Sequence, residues 1–109
     1  MGDITFLEST RQFLEDPLLG EQDLDTKVRL LLEAEYLRRL AAYRRVDRTL
    51  SQKYGMTWQE FLDRRVTRQK GYTWEVESDA MSWETAVDGI ETMEHTLRKL
   101  RESAHVQHG

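Results

Sequence analysis

Apolar residues recur at helical spacing over most of the chain, and the longest such run lies in its middle. Between residues 24 and 53 no proline or glycine interrupts the pattern, which predicts one continuous central helix. Its apolar positions fall on two stripes rather than one, so we expect a wide buried face. The first stripe contains Leu30, Ala34, Leu37 and Ala41, and the second contains Leu32, Tyr36, Leu40, Tyr43 and Leu50.

The residues that follow the central helix predict a tight turn into a second helix over residues 58–69. Gly55 suits the left-handed position that ends many helices. Thr57 and Glu60 have the spacing of a capping box, and Met56 precedes them as the first half of a hydrophobic staple. The second helix is expected to bury four apolar residues, Trp58, Phe61, Leu62 and Val66.

Residues 72–77 change to strict alternation of apolar and polar side chains, which is typical of a strand. Tyr72, Trp74 and Val76 share one face of such a strand, and Glu75 and Glu77 occupy the other. A lone strand has no neighbour for its backbone N–H and C=O groups. We therefore expect either an extended connector or an edge strand that adds to the sheet of another protein.

The C-terminal part of the chain predicts a helix over residues 80–102 with a heptad-like pattern. Both packing on the central helix and pairing with another helix fit this pattern. Gly89 interrupts it at a cost of about 1 kcal/mol relative to alanine. The apolar positions alternate in spacing between three and four residues and are Trp83, Ala86, Ile90, Met93, Leu97, Leu100 and Ala104.

These elements predict a mainly α fold, a helical hairpin with a long central helix and a heptad-like C-terminal helix, plus one extended segment or edge strand. The length of 109 residues fits a single small domain. Its expected parts are a short N-terminal helix and turn at 1–22, the helical hairpin at 23–70, the extended segment at 71–79 and the C-terminal helix at 80–103.

The charged residues form three blocks, and these blocks leave two interpretations open. Residues 1–37 carry 3 basic and 9 acidic side chains, residues 38–70 carry 10 and 3, and residues 71–109 carry 3 and 8. Blocks of this kind either pair with each other inside the fold or bind partners of opposite charge.

Several classes of function are disfavoured by the composition. The chain has no run of about 18 apolar residues and no basic-then-apolar leader at Met1–Ile4, so a cytoplasmic protein without a membrane span is expected. It has no cysteine, and its six glycines are too scattered for a phosphate-binding loop. No arrangement around its three histidines resembles a catalytic or metal site. We expect no enzymatic activity, metal or cofactor.

The helix, turn and helix around Gly55 also match a DNA-binding motif, which supplies an alternative function. In this interpretation the protein is a regulator that binds operator DNA as a homodimer. The second helix would present Gln59, Leu62, Asp63 and Val66 to the groove, and an apolar and acidic set of this kind reads base edges poorly. Possible nucleic-acid contacts are the basic residues Arg38, Arg39, Arg44, Arg45 and Arg48.

A second candidate surface combines aromatic and acidic residues near the predicted strand. Large aromatic side chains dominate the affinity of many protein interfaces, and carboxylates at the rim raise the association rate with a basic partner. A solvated face is the alternative interpretation of the same acids. The candidate partner-binding residues are Tyr72, Trp74, Glu75, Val76, Glu77, Asp79, Trp83 and Glu84.

Three stretches of the sequence resemble a group of small prokaryotic antitoxins from two-gene toxin–antitoxin modules. The stretches are Leu31–Leu40 (LLEAEYLRRL), Tyr54–Met56 with Glu60–Phe61, and Tyr72–Asp79 (YTWEVESD) with Trp83–Glu84, so that the resemblance spans about residues 25–100. It implies a type II antitoxin that neutralises a toxin, often a small ribonuclease, by direct contact. It does not include the ribbon-helix-helix of better-known antitoxins. The wide apolar faces independently predict at least a homodimer.

Overall fold

A computed structural model of the chain consists of helices joined by short turns. It describes the backbone of residues 23–107 and the side chains of residues 23–103. The predicted N-terminal helix and turn at 1–22 lie outside the described residues. The helices are α1 (Leu24–Tyr54), α2 (Trp58–Asp63), α3 (Val66–Gln69) and α4 (Trp74–Gln107). No strand occurs between residues 23 and 107, and no helix there is long and apolar enough to cross a membrane.

By its internal contacts the chain divides into two compact units, Met1–Ala34 and Glu35–Gly109. In the first unit the structure describes the beginning of α1. The backbone N–H of Thr26 donates a 2.8 Å hydrogen bond to Asp23 Oδ1, so Asp23 caps the helix. One turn later Arg29 pairs with Asp25 at 2.8 Å, the spacing at which side chains meet on a helix surface.

In the second unit, α1 and α4 form the two arms of an antiparallel hairpin. Arg44 contacts Glu94, Asp47 accepts a hydrogen bond from Trp83, and Lys53 contacts Asp79. These pairs run in opposite directions along the two helices, so the end of α1 lies beside the beginning of α4. The predicted mainly α hairpin with a long central and a long C-terminal helix is confirmed.

The turn after α1 has the predicted local chemistry. Gly55 has a φ of 65°, the left-handed conformation that glycine adopts without strain. Thr57 Oγ1 accepts a hydrogen bond from the backbone N–H of Glu60, and the Glu60 carboxylate accepts one from the N–H of Thr57, both at 3.2 Å. This reciprocal capping box starts α2 one residue after Thr57.

The predicted strand at 72–77, within the predicted extended segment at 71–79, is wrong. Gly71 and Tyr72 form a turn with φ values of 72° and 55°, and α4 begins at Trp74. Thr73 supports this start, since its hydroxyl accepts a 3.4 Å hydrogen bond from Val76 N–H and its carbonyl accepts one from Glu77 N–H. The C-terminal helix therefore begins six residues earlier than predicted.

The predicted single helix at 58–69 is also wrong, because it is divided between α2 and α3. Arg65, between the two, has a φ of 50° and a ψ of 49°, a left-handed conformation that cannot continue an α-helix. Leu62, predicted to be buried, is 48% exposed at the end of α2. Phe61 and Val66 are buried as predicted.

The hydrophobic core of the second unit lies where the hairpin meets α2 and α3. Its buried members are Leu50, Phe61, Val66, Val76 and Trp83, with Tyr54, Met56, Trp58, Ala80 and Val87 packed against them. Farther along the hairpin Leu40, Ala86 and Leu97 are buried as well. The first predicted stripe of α1, from Leu30 to Ala41, is exposed instead.

Candidate partner-binding surface

Two of the predicted partner-binding residues belong to the core and not to the surface. Trp83 has no exposed area and Val76 is buried beside it. The Trp83 ring lies 5.1 Å from that of Phe61, 5.5 Å from that of Trp58 and 5.9 Å from that of Tyr54, measured between centroids. Trp83 Nε1 donates a 2.8 Å hydrogen bond to Asp47, which satisfies its polar atom. Neither residue is available to a partner.

The other two aromatic residues of the prediction are on the surface. Tyr72 is 59% exposed in the turn before α4, and Trp74, the first residue of that helix, is 82% exposed. Tryptophan is highly buried on average in folded proteins, and it is enriched among the residues that anchor protein interfaces. Trp74 is therefore the centre of the candidate surface.

The helix places Trp74 in a line with three further residues. Glu77, Met81 and Glu84 follow it at spacings of three, seven and ten residues, so all four lie on one side of α4. Met81 is 69% exposed, and both glutamates are exposed too. We call Trp74, Glu77, Met81 and Glu84 the outer face of α4.

Met81 was not identified from the sequence as a surface residue beside Trp74, because residues 72–77 were assigned to a strand and their helical spacing was not considered. The signal that finds it is the core pattern of the same helix. Val76 precedes Trp83 by seven residues and Ala80 precedes it by three, so the core stripe already extends into the supposed strand. A helix drawn through these positions places Met81 beside Trp74 on the opposite side.

Two predicted acidic contacts, Glu75 and Asp79, are bound within the chain. Lys53 Nζ lies 2.7 Å from Glu75 Oε1 and 2.6 Å from Asp79 Oδ2. Tyr54 donates a 2.6 Å hydrogen bond to the same Asp79 oxygen. The hydrogen bonds from Lys53 thus neutralise part of the acidic surface, and Glu77 and Glu84 are the acids left to meet a partner.

This cluster shifts the pKa of each group in a direction set by its contacts. Partial burial raises the pKa of Asp79, but the hydrogen bonds from Lys53 and Tyr54 lower it further, and the net pKa is below its usual range. The two carboxylates raise the pKa of Lys53 by hydrogen bonding, first Asp79 and then Glu75. Burial and the hydrogen bond to Asp79 raise the pKa of Tyr54 to about 12.

The protein is expected to lose stability in acid as Asp79 becomes protonated. A carboxyl whose pKa is lower in the folded chain than its ordinary value of 3.8 contributes stability above that value and loses it as the pH falls through the folded pKa. We predict that the melting temperature falls between about pH 6 and pH 2 and that Asp79→Asn makes this fall smaller. Thermal unfolding followed by circular dichroism at several pH values measures it.

Asp88→Asn is the matched control, because Asp88 is an exposed acid farther along α4 whose side chain forms no hydrogen bond or ion pair with another described residue. Its acid profile should follow that of the original protein. Both variants should still lose some stability in acid, because the hydrogen bonds from Arg38 and Arg39 also lower the pKa of Glu35, to about 2. An identical loss in Asp79→Asn and Asp88→Asn would contradict the role of the Lys53 contact.

The five predicted nucleic-acid residues are exposed on α1 but do not act as one set. Arg38 and Arg39 both bind Glu35, at 2.6 and 2.9 Å, and these hydrogen bonds lower the pKa of Glu35. Arg44 lies 3.6 Å from Glu94. Arg45 and Arg48 have no ion pair within residues 23–103. Internal pairing, one of the two interpretations of the charge blocks, accounts for three of the five.

The helix that the DNA-binding interpretation places in the DNA groove is short in this structure. The helix that would enter a DNA groove is α2, which has only six residues. Val66, one of its expected groove-facing residues, lies in α3 and is buried. The turn around Gly55 thus connects core-forming helices.

No group of three or more potential metal ligands comes together in the part of the chain that the structure describes. Compared with family models, with curated proteins and with solved structures, the chain has no significant match.

Proposed function

We propose that this protein is a cytoplasmic prokaryotic antitoxin that neutralises a toxin by direct contact through the outer face of α4. The observation that carries the proposal is the 82% exposure of Trp74, a residue type that dominates binding energy when an interface covers it. Met81 adds a second accessible apolar side chain on the same face, and methionine adapts its shape to a partner.

The charges around Trp74 support a basic partner. Glu77 lies between Trp74 and Met81 along the outer face and Glu84 follows Met81, and neither glutamate has an ion pair with another described residue. A small ribonuclease binds a polyanion and so presents a basic active-site face. An acidic face with an aromatic anchor complements such a site, and its occupation would exclude RNA.

The antitoxin class comes from the sequence resemblance, and the surface is the physical basis for binding. A helix face replaces the edge strand of the sequence prediction, so we expect side-chain anchoring and not sheet extension. The exposed first stripe of α1, which includes Leu37 and Ala41, agrees with the predicted homodimer, and this oligomeric state stays a prediction.

The test is co-expression with the protein encoded by the neighbouring reading frame. Expression of that protein alone should arrest growth, and co-expression of this chain should restore it. Trp74→Ala should abolish the rescue and weaken the purified complex by about 2 kcal/mol or more, measured by calorimetry. The melting temperature of the free chain should change little, because Trp74 is largely solvated.

Val46→Ala is the matched control, since Val46 is an exposed apolar residue on α1 away from the outer face. It should rescue growth and bind as the original chain does. Absence of toxicity in the neighbouring protein, or equal rescue by Trp74→Ala, would contradict the proposal.

A further inference from the structure

A shallow groove lies beside the break between α2 and α3 and involves none of the four residues of the outer face. Phe61 and Val66, both buried, contribute its apolar interior. Leu62 and Tyr72 also line the groove but are more exposed, at 48% and 59% respectively. The groove is thus an apolar depression with two large, solvated side chains in its walls.

The remaining walls of the groove are basic. Arg65 and Arg68 line it and are exposed, and neither forms an ion pair with another residue between 23 and 103. Arg64 differs, because it contacts Glu60 at 3.4 Å and does not line the groove. Two guanidinium groups free to bind an anion therefore border an apolar surface.

The backbone around the groove holds an unfavourable conformation. Arg65 and Tyr72 have φ values of 50° and 55°, and among residues 23–107 no other non-glycine residue has a positive φ. Residues other than glycine rarely adopt a positive φ. Where they do, the strained position is often part of a functional site. Both residues contribute side chains to this one groove.

We propose that this groove binds a short acidic segment of a partner protein, with an apolar side chain of the segment against Leu62 and Tyr72 and its carboxylates on Arg65 and Arg68. Arginine recognises carboxylates through two parallel hydrogen bonds, and it is enriched at protein interfaces. The apolar lining provides the contact area that an ion pair in water lacks.

The surrounding charges favour a peptide over a nucleic acid. Only two arginines of the described chain, Arg65 and Arg68, line the groove. Binding of a nucleic-acid strand relies on neutralising many phosphates along it, which two guanidinium groups do not do. Two guanidinium groups match the charge of a segment with two or three carboxylates.

The proposal is independent of the antitoxin proposal, because it uses other residues and a partner segment of opposite charge. The probes are two synthetic peptides with the same two leucines, one with glutamates around them and the other with lysines, and a single-stranded oligothymidylate. We expect the acidic peptide at about millimolar concentration to shift the amide NMR signals of residues 61–72. The lysine peptide and the oligonucleotide should shift few of them.

Two sets of substitutions connect these shifts to the groove. Arg65→Asn with Arg68→Gln removes both charges, and asparagine tolerates the left-handed backbone at 65, so binding should weaken about fivefold while the helical signal is retained. Tyr72→Asn should also weaken binding, because it removes the aromatic ring that the apolar side chain of the peptide would contact. Lys99→Gln removes an exposed charge on α4, outside the groove, and should bind normally.

Three results would overturn the proposal. The first is equal binding of the glutamate and lysine peptides, and the second is an absence of shifts at the groove with the glutamate peptide. The third is tighter binding of the oligonucleotide than of the peptide, which would assign the groove to single-stranded nucleic acid.

Discussion

Replacing Trp83 with alanine is expected to lower the free energy of unfolding by about 3–5 kcal/mol. The side chain has no exposed area, and three aromatic rings lie within 5.9 Å of its own, centroid to centroid. Truncation removes these contacts and leaves a cavity at the junction of the hairpin with α2. It also leaves Asp47 without the Nε1 donor, which adds to the cost.

Denaturant unfolding followed by circular dichroism measures this loss, and a second tryptophan in the same helix supplies the control. Trp74→Ala is the identical chemical change at an exposed position and should cost no more than about 0.5 kcal/mol. Trp83→Phe keeps an aromatic ring but loses the hydrogen bond to Asp47, so it should fall between the two. Equal costs for Trp83→Ala and Trp74→Ala would contradict the placement of Trp83 in the core.

The parts of the fold that were predictable from the sequence depend on interactions between near neighbours. Gly55, Thr57 and Glu60 complete a turn and a capping box within six residues, and the chemistry of each side chain is sufficient to identify its role. The heptad-like spacing after Trp83 likewise fixes the buried side of α4, where Ala86 and Leu97 are buried as expected.

The strand prediction failed because alternation over six residues does not distinguish two different arrangements. Tyr72 and Trp74 share a strand face with Val76 in the sequence, but the first two are exposed and the third is buried. Val76 belongs instead to the helical spacing that leads to Trp83. The helical spacing is decisive because it buries Val76 and Trp83 together against Phe61 of α2. A lone strand would have no partner for its backbone N–H and C=O groups.

The break at Arg65 was not predictable, since arginine is a good helix former and carries no signal for a left-handed backbone. The division of the candidate site has a similar origin. Trp83 suited both a core pattern and an aromatic anchor, and packing across the hairpin decided between them. The binding of Glu75 and Asp79 to Lys53 depends on the register of two helices, which the sequence does not specify.

The close approach of Gly89 on α4 to Tyr43 on α1 leads to the second large effect. Gly89→Val is expected to lower the free energy of unfolding by about 2 kcal/mol. A Cβ atom at position 89 would lie 2.5 Å from two carbons of the Tyr43 ring, well inside the roughly 3.5 Å at which carbon atoms come into contact. Either the ring must leave its position or the helices must separate. Glycine is itself unfavourable in a helix by about 1 kcal/mol relative to alanine, so intrinsic propensity alone predicts a smaller effect or a gain.

A double-mutant cycle separates the clash with Tyr43 from every other effect of the substitution. Tyr43→Ala removes the ring that the new side chain would meet, so Gly89→Val should cost much less in that background than in the original chain. We expect a coupling of at least about 1 kcal/mol between the two positions, measured by denaturant unfolding of the four proteins. Because the two residues lie on different helices, such a coupling also tests the register of the hairpin. Equal costs in both backgrounds would mean that Gly89 is needed for some reason other than its approach to Tyr43.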